Sequence, residues 1–257
     1  MPHPVDHRRP AHPVFRHRSP WAPPAIMLSL ALLSGCAAPS PAVDTAPAEP
    51  DIAAQANIGL LKQEARRYHD DGRYERDLAR VDALAGDWLA ARAAAVSKPA
   101  LVLDIDETSL SNWDSMVADD FGFIFGGRCD HLPAGPCGFG SWVDRAAAPA
   151  IAPTLALARR ARSLGVAVFF ITGRKADETD ATARNLRQAG YADWSGLVLE
   201  PVGSHFAKAE DFKAPARAEI ERQGYTILAT VGDQWSDLLG GHAERGFKLP
   251  NPWYYLP

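Results

Sequence analysis

The chain is predicted to be an α/β protein built on a three-layer parallel sheet, and three observations point to that class. From Lys98 onward, short apolar runs alternate with helical patterns. The residues that follow several of those runs are acids, hydroxyls and glycines, which is where sites lie in open α/β sheets. The 257 residues are 47% hydrophobic and 23% charged, enough for one sizeable globular core with an appendage.

Taken in order, residues 1–35 read as an export signal. Arg8, Arg9, Arg16 and Arg18 form a basic start, and "AIMLSLALLSG" (25–35) is an apolar run far shorter than the ~20 residues a spanning helix needs. The "LSGC" that closes it resembles the bacterial lipoprotein box, which implies cleavage before Cys36 and a lipid on its new N-terminus. Ala37, in place of an Asp after that cysteine, resembles the default for sorting to the outer membrane, facing the periplasm or cell surface, with the inner membrane as the alternative. An ordinary secretory signal with a chance cysteine is the alternative. Residues 36–56 are rich in Ala and Pro, lack aromatics and read as a disordered tether. The formal net charge is −4, and removing the four Arg and one Asp of residues 1–35 leaves −7. Such an acidic surface argues against nucleic acid as a partner and leaves membrane attachment to the lipid.

Residues 57–97 carry two helical stripes, Ile58, Leu61, Ala65 and Tyr68, then Tyr74, Leu78, Val81, Ala85 and Trp88, separated by "HDDG". Stripes of this kind pack a core and are assigned no chemistry. Residues 98–257 form the main body. Strands are expected at Ala100–Leu103, Val166–Ile171, Leu197–Leu199, Tyr225–Val231 and Phe247–Leu249, with helices at Thr154–Ser163, Asp177–Ala189 and Phe212–Gln223. A Gly-, Trp- and Cys-bearing insertion at about 110–150 separates the first two strands, longer than an ordinary βα connection and placed to cover a site. Within it, Cys129 and Cys137 flank a Gly/Pro-rich loop and form a natural pair for a disulfide in an oxidising compartment, with two free thiols as the alternative.

The chemistry concentrates at three strand ends: Asp104-Ile105-Asp106-Glu107-Thr108, Thr172-Gly173-Arg174, and Gly232 through Asp237. Clustered carboxylates repel unless a cation joins them. Oxygen-only ligands without paired His or Cys favour Mg²⁺ over Zn²⁺. An ionised Asp104 can serve as nucleophile, and Asp106 in the same turn can move a proton if its surroundings keep it partly protonated. Thr172 and the Gly173 amide offer neutral donors to a phosphoryl oxygen, and a nearby Lys would offset its charge.

The order "DIDET", "FFITGR", "FK", "GDQWSD" resembles the haloacid dehalogenase superfamily. More narrowly, "DIDETSLSN", "GDQWSDLLGG" and "FKLPNPWYY" resemble its acid phosphatase branch, which includes bacterial lipoprotein acid phosphatases and the plant vegetative storage protein type. The resemblance spans about Ala100 to Tyr255 and implies a Rossmann-like fold with a small cap after the first strand. It implies that Asp104 forms an aspartyl-phosphate and that Asp106 is the general acid/base. Asp104, Asp233 and the main-chain carbonyl of Asp106 would hold Mg²⁺, with Asp237 as a further ligand or a supporting partner. Thr172 and Gly173 would bind the phosphoryl group and Lys213 would clamp it. Lys213 is preferred to Lys208 because Phe212 fills the family's aromatic position and Arg217 follows at its spacing. Asp106 sets the chain apart from dehalogenases, which need no acid/base two residues after the nucleophile.

The expected activity is Mg²⁺-dependent hydrolysis of small phosphomonoesters, nucleoside monophosphates among them. A non-catalytic storage or binding lipoprotein and a phosphotransferase remain as alternatives. There is no "RHG" and no Cys–Arg signature loop, and of the His outside the leader only His131, in the insertion, is placed to meet substrate. Among the insertion's aromatics, Trp113 is the expected substrate wall, because it sits just past the catalytic turn.

Overall fold

The structure, a computed structural model, describes residues 57–256, so the leader, Cys36 and the tether lie outside it. The strands are β1 (Pro99–Leu103), β2 (Ala167–Lys175), β3 (Gly196–Glu200), β4 (Thr226–Gly232) and β5 (Gly246–Lys248). They make one parallel sheet in the order β3-β2-β1-β4-β5. All five coincide with the predicted apolar runs. One differs in extent: β2 does not stop at Ile171 but continues through Thr172, Gly173 and Arg174, because Lys175 pairs with Glu200 of β3 across a register shift.

The helices are α1 (Ile58–Asp70), α2 (Arg73–Arg92), α3 (Trp113–Ala118), α4 (Phe139–Arg145), α5 (Ala152–Ser163), α6 (Thr179–Gln188) and α7 (Glu210–Arg222). Asn57 caps α1 by accepting the Leu60 N–H at 3.2 Å, and Gly72, at φ +76°, makes the left-handed turn into α2 that a side chain would resist. Side-chain alternation along the strands divides the interior in two. Leu101, Leu103, Val168, Phe170 and Val231 face the larger core with α2, α5 and Leu186 of α6, whereas Ala100, Val102, Phe169, Ile171 and Ile227 face the smaller one with Phe212 and Ile220 of α7.

The amphipathic N-terminal stripes find their partner here. Helix α2 packs on α5 and lies against β4 and β5, burying Leu78, Ala85 and Leu89 where the βαβ crossovers supply no helix. Strand β4 has a bulge at Leu228, opposite the step from Ala100 to Leu101, and the Trp88 indole N–H donates to the Leu228 carbonyl at 2.8 Å. The insertion holds α3, α4 and a loop closed by a Cys129–Cys137 disulfide. Lys62 and Arg66 of α1 engage it, through an ion pair from Lys62 to Asp120 at 2.6 Å and the Arg66 guanidinium over the Phe121 ring. No helix of the described residues is long and apolar enough to cross a membrane.

One buried acid in this layer has a measurable consequence. Asp82 of α2 accepts the Thr154 hydroxyl at 3.0 Å through Oδ2, its Oδ1 has no partner among the described residues, and burial pushes the carboxyl up to about 7. Because the folded value lies above the ordinary 3.8, the contribution to stability is fully present below pH 3.8 and is lost as pH rises through about 7. Asp82→Asn is therefore expected to raise Tm at pH 8, by the equivalent of a few kcal/mol at most, and to leave it nearly unchanged at pH 4. Thermal unfolding of both proteins at the two pH values checks this.

Candidate active site

The sheet order makes β1 and β4 neighbours while the chain leaves β1 toward β2 on the other side, so a crevice opens beyond their carboxyl ends. Asp104 directly follows β1 and Asp233 directly follows β4. The turn after β1 is a tight one: the Ile105 carbonyl accepts the N–H groups of Ser109 and Leu110, each at 2.8 Å, and Ile105 itself is fully buried. The turn's backbone bonds run to the Ile105 and Leu110 carbonyls and leave that of Asp106 out. Asp104 and Asp106 thereby both line one cavity of about 610 Å³.

Asp104, Asp233 and Asp237 bring carboxylate oxygens within 4.8 Å of one another, all buried. The Lys213 ammonium enters this cluster from α7, pairing with Asp104 Oδ1 at 2.6 Å and Asp237 Oδ1 at 2.5 Å. Burial works against its charge, but Asp104 and Asp237 outweigh that and hold Lys213 above its ordinary value. One ammonium does not balance three carboxylates. Burial, then the charge of Asp237, lifts Asp104 well above the usual carboxylate range, and the same causes push Asp233 up to about 6. Uncompensated negative charge on an all-oxygen donor set fits a hard divalent cation. Lys208, the alternative clamp, lies on the cavity wall, but Lys213 is the lysine in contact with the acids.

The remaining expected residues fall as follows. Gly173 lines the cavity, while Thr172 is buried beneath it with its hydroxyl oxygen accepting the Arg174 N–H at 3.2 Å. Thr108 bonds outside its own turn, donating to Asp233 Oδ1 at 2.9 Å and accepting the Asp233 N–H at 3.1 Å, so it joins the two acidic loops. Glu107 sustains a left-handed backbone, φ +54°, and accepts the Asn112 N–H at 2.6 Å and the Tyr254 hydroxyl at 2.9 Å.

Two expectations need correction. Trp113 does not line the cavity: its ring stacks on His69, centroids 3.7 Å apart, and packs on Trp253 and Phe121, because α3 turns it toward the N-terminal helices. The aromatic walls come from Phe121, Phe123, Phe139, Phe206, Trp253 and Tyr254. His131 is exposed beside Asp130, away from the cavity, on the disulfide loop.

Several residues escaped the sequence reading. Arg174, almost fully buried, clamps Asp106 with Nη2 at 2.7 Å and Nε at 3.1 Å from Oδ1. Burial alone would push Asp106 up, but the Arg174 charge and hydrogen bonds, with Asn112, outweigh it and hold the carboxyl below its ordinary value. The partly protonated environment on which its acid/base role depends is therefore not supplied by the free protein's own groups. Arg217 donates to the carbonyls of Asp237 (2.8 Å) and Gly241 (2.9 Å) and fixes the loop after β4. The C-terminal segment closes over the site: Lys248 donates to the Asp233 carbonyl and Asn251 to Asp233 Oδ2 at 2.7 Å. The "TGR" and "FKLPNPWYY" strings were the available signals, but neither spacing nor pattern says which acid each cation reaches.

Residues 42–257 match the family described as HAD superfamily, subfamily IIIB (acid phosphatase). The chain is 44% identical to the stem 28 kDa glycoprotein of Glycine max over 46% of its own length and 48% of the relative's. It is 37% identical to acid phosphatase 1 of Solanum lycopersicum over 60% and 58%. It therefore spans about half the length of the plant relatives it matches. A class C acid phosphatase from Bacillus anthracis shares the fold, with TM-score 0.59 at 24% identity over 76% of this chain and 86% of that one.

A divalent ion that fills the acidic cluster stabilises the folded state by mass action. At about 100-fold excess over Kd, Mg²⁺ is expected to raise Tm by about 5–10 °C. Asp233→Asn should remove most of that shift, and Glu200→Gln, outside the acid cluster, should keep it; differential scanning calorimetry with and without chelator decides.

Proposed function

This chain belongs to the subfamily IIIB acid phosphatases of the HAD superfamily, and on that premise we propose that it is a phosphomonoesterase acting through an aspartyl-phosphate on Asp104. The observation that carries the reading is the placement of Asp104 and Asp106 on one turn, facing one cavity, with Lys213, Asp233 and Asp237 around them. Mg²⁺ held by Asp104, Asp233 and the main-chain carbonyl of Asp106, with Asp237 as ligand or support, would neutralise the acids and polarise the phosphoryl oxygens.

Within that frame the protein's own groups divide the work. The Asp104 carboxylate attacks phosphorus in line with the leaving oxygen. Lys213 neutralises charge on the phosphoryl oxygens and the Gly173 amide donates to them, while Thr172, buried beneath the cavity, braces that turn through the Arg174 N–H. Asp106 gives its proton to the departing oxygen, then takes one from the water that releases phosphate. Arg174 holds Asp106 low in the free enzyme, whereas a phosphoryl dianion arriving beside it raises its proton affinity. A pH optimum on the acid side follows, because protonated Asp106 becomes more abundant as pH falls. The aromatic walls suit esters with a flat or apolar leaving group, nucleoside monophosphates among them.

The lipid anchor is likewise a proposal, supported by the basic start, the apolar run and "LSGC" of residues 1–36. It places the enzyme at the outer membrane, facing the periplasm or cell surface, where phosphoesters too polar to cross could be opened.

Asp104→Asn is expected to lower hydrolysis of a chromogenic phosphate ester to background while leaving Tm within a few degrees; metal-dependent turnover in that variant would sink the covalent mechanism. An acid-quenched mass spectrum should carry phosphate on Asp104, and product analysis with an added alcohol separates hydrolysis from phosphotransfer. Cys36→Ser should abolish incorporation of labelled palmitate and move the protein to the soluble fraction; unchanged labelling would remove the anchor.

A further inference from the structure

The two oxygens of Asp106 are treated unequally. Oδ1 accepts Arg174 Nη2 at 2.7 Å, Arg174 Nε at 3.1 Å and the Asn112 side-chain amide at 2.9 Å. Oδ2 has one contact among the described residues, the same Arg174 Nε at 3.2 Å. Asn112 is itself fully specified. Its Nδ2 also donates to Glu107 Oε2 at 3.0 Å, and its Oδ1 accepts the Trp142 indole N–H at 2.7 Å. A flipped amide would set its carbonyl against two carboxylates and its NH₂ against the indole donor, so only one orientation satisfies all of these groups.

Trp142 comes from the insertion, thirty residues away in sequence, and is 2% exposed. Helix α4, which carries it, is fastened at both its ends to the Arg128–Cys129 stretch where the disulfide loop begins: the Gly138 N–H donates to the Arg128 carbonyl at 3.2 Å, and Arg145 donates to the Cys129 carbonyl at 2.6 Å. An indole N–H can only donate, so Trp142 fixes which end of the Asn112 amide faces Asp106. The insertion thus reaches the chemistry by hydrogen bond, in addition to walling the cavity.

We propose that Trp142 and Asn112 are positioning residues that keep Asp106 Oδ1 engaged and aim Oδ2 at the reacting oxygen. The inference rests on the phosphomonoesterase reading above. As Asp104 bonds to phosphorus, the bond from phosphorus to the ester oxygen breaks, its electron pair stays on that oxygen, and the proton on Oδ2 joins it to give the alcohol. In the second half, water oxygen bonds to phosphorus, Asp104 departs as a carboxylate, and the proton lost by water passes to Oδ2. Both transfers use one oxygen, and its aim depends on a side chain that touches no substrate atom.

Leaving-group dependence separates aim from mere support. An alkoxide must be protonated as it leaves, whereas p-nitrophenolate leaves readily without a proton. In the full chain, Trp142→Phe keeps a ring in place and deletes the N–H. Its kcat/KM for a simple alkyl phosphate is expected to fall about 10-fold or more, and that for p-nitrophenyl phosphate by no more than about 3-fold. If Trp142→Phe fails to fold, Asn112→Ala removes the donor to Asp106 without adding a charge beside Asp106 and Glu107, and the same selective loss is expected. Equal losses on both esters, or no loss on either, overturn the positioning role while leaving the phosphatase reading intact. A wild-type protein inactive on both esters overturns that reading and this inference with it.

Discussion

Every part of this protein answers to one constraint, the burial of like charge at the carboxyl edge of the sheet. Asp104, Asp106, Glu107, Asp233 and Asp237 gather there, and all but Asp106 are almost completely inaccessible to water. Taking one carboxylate out of water already costs several kcal/mol, and neighbouring anions add to it. Two buried cations answer directly: Lys213 lies between Asp104 and Asp237, and Arg174 grips Asp106. What they leave uncompensated is a buried negative cluster whose all-oxygen donors fit a hard divalent cation. The acids that strain the fold are thus the same ones to which the proposed mechanism assigns the reaction.

Holding such a site takes more scaffold than five strands provide. Helix α2 covers the larger core beside β4, and α1 steadies the insertion through Lys62 and Arg66. Tyr68, Tyr74, Trp113 and Trp253 pack edge to face or tilted where the N-terminal helices, the insertion and the C-terminal segment meet. Aromatic pairs of this kind bury large apolar area and give orientation besides. That junction explains why Trp113 serves structure although it follows the catalytic turn closely in sequence: the helix beginning at it turns its ring away from the cavity. The walls are left to Phe121, Phe123 and Phe139 of the insertion, with Phe206, Trp253 and Tyr254.

Much of the fold was legible because the strands are nearly continuous apolar runs and the residues just past them are chemically conspicuous. Asp104, Asp106, Lys213, Asp233 and Asp237 could each be named from a motif, and the structure brings the first four to one cavity with Asp237 behind them, paired with Lys213. Arg174 stood in plain view after Thr172 and Gly173, yet its partner is a carboxylate sixty-eight residues away, and no spacing rule links them. The state of Asp106 was consequently open: an acid in that turn moves a proton if its surroundings keep it partly protonated, and a guanidinium brought in from the neighbouring strand instead holds the carboxyl below its ordinary value in the free protein.

Residue order by itself determined the sheet, the position of the site at its edge and the residue types that do the chemistry, because periodicity and strand ends are local properties of a chain. Only the tertiary structure decided which partner each charge has, which aromatics face the cavity, and that Asn112 and Trp142 reach Asp106. Those depend on contacts between segments far apart in sequence, where a rotation of one short helix moves a side chain from cavity wall to core.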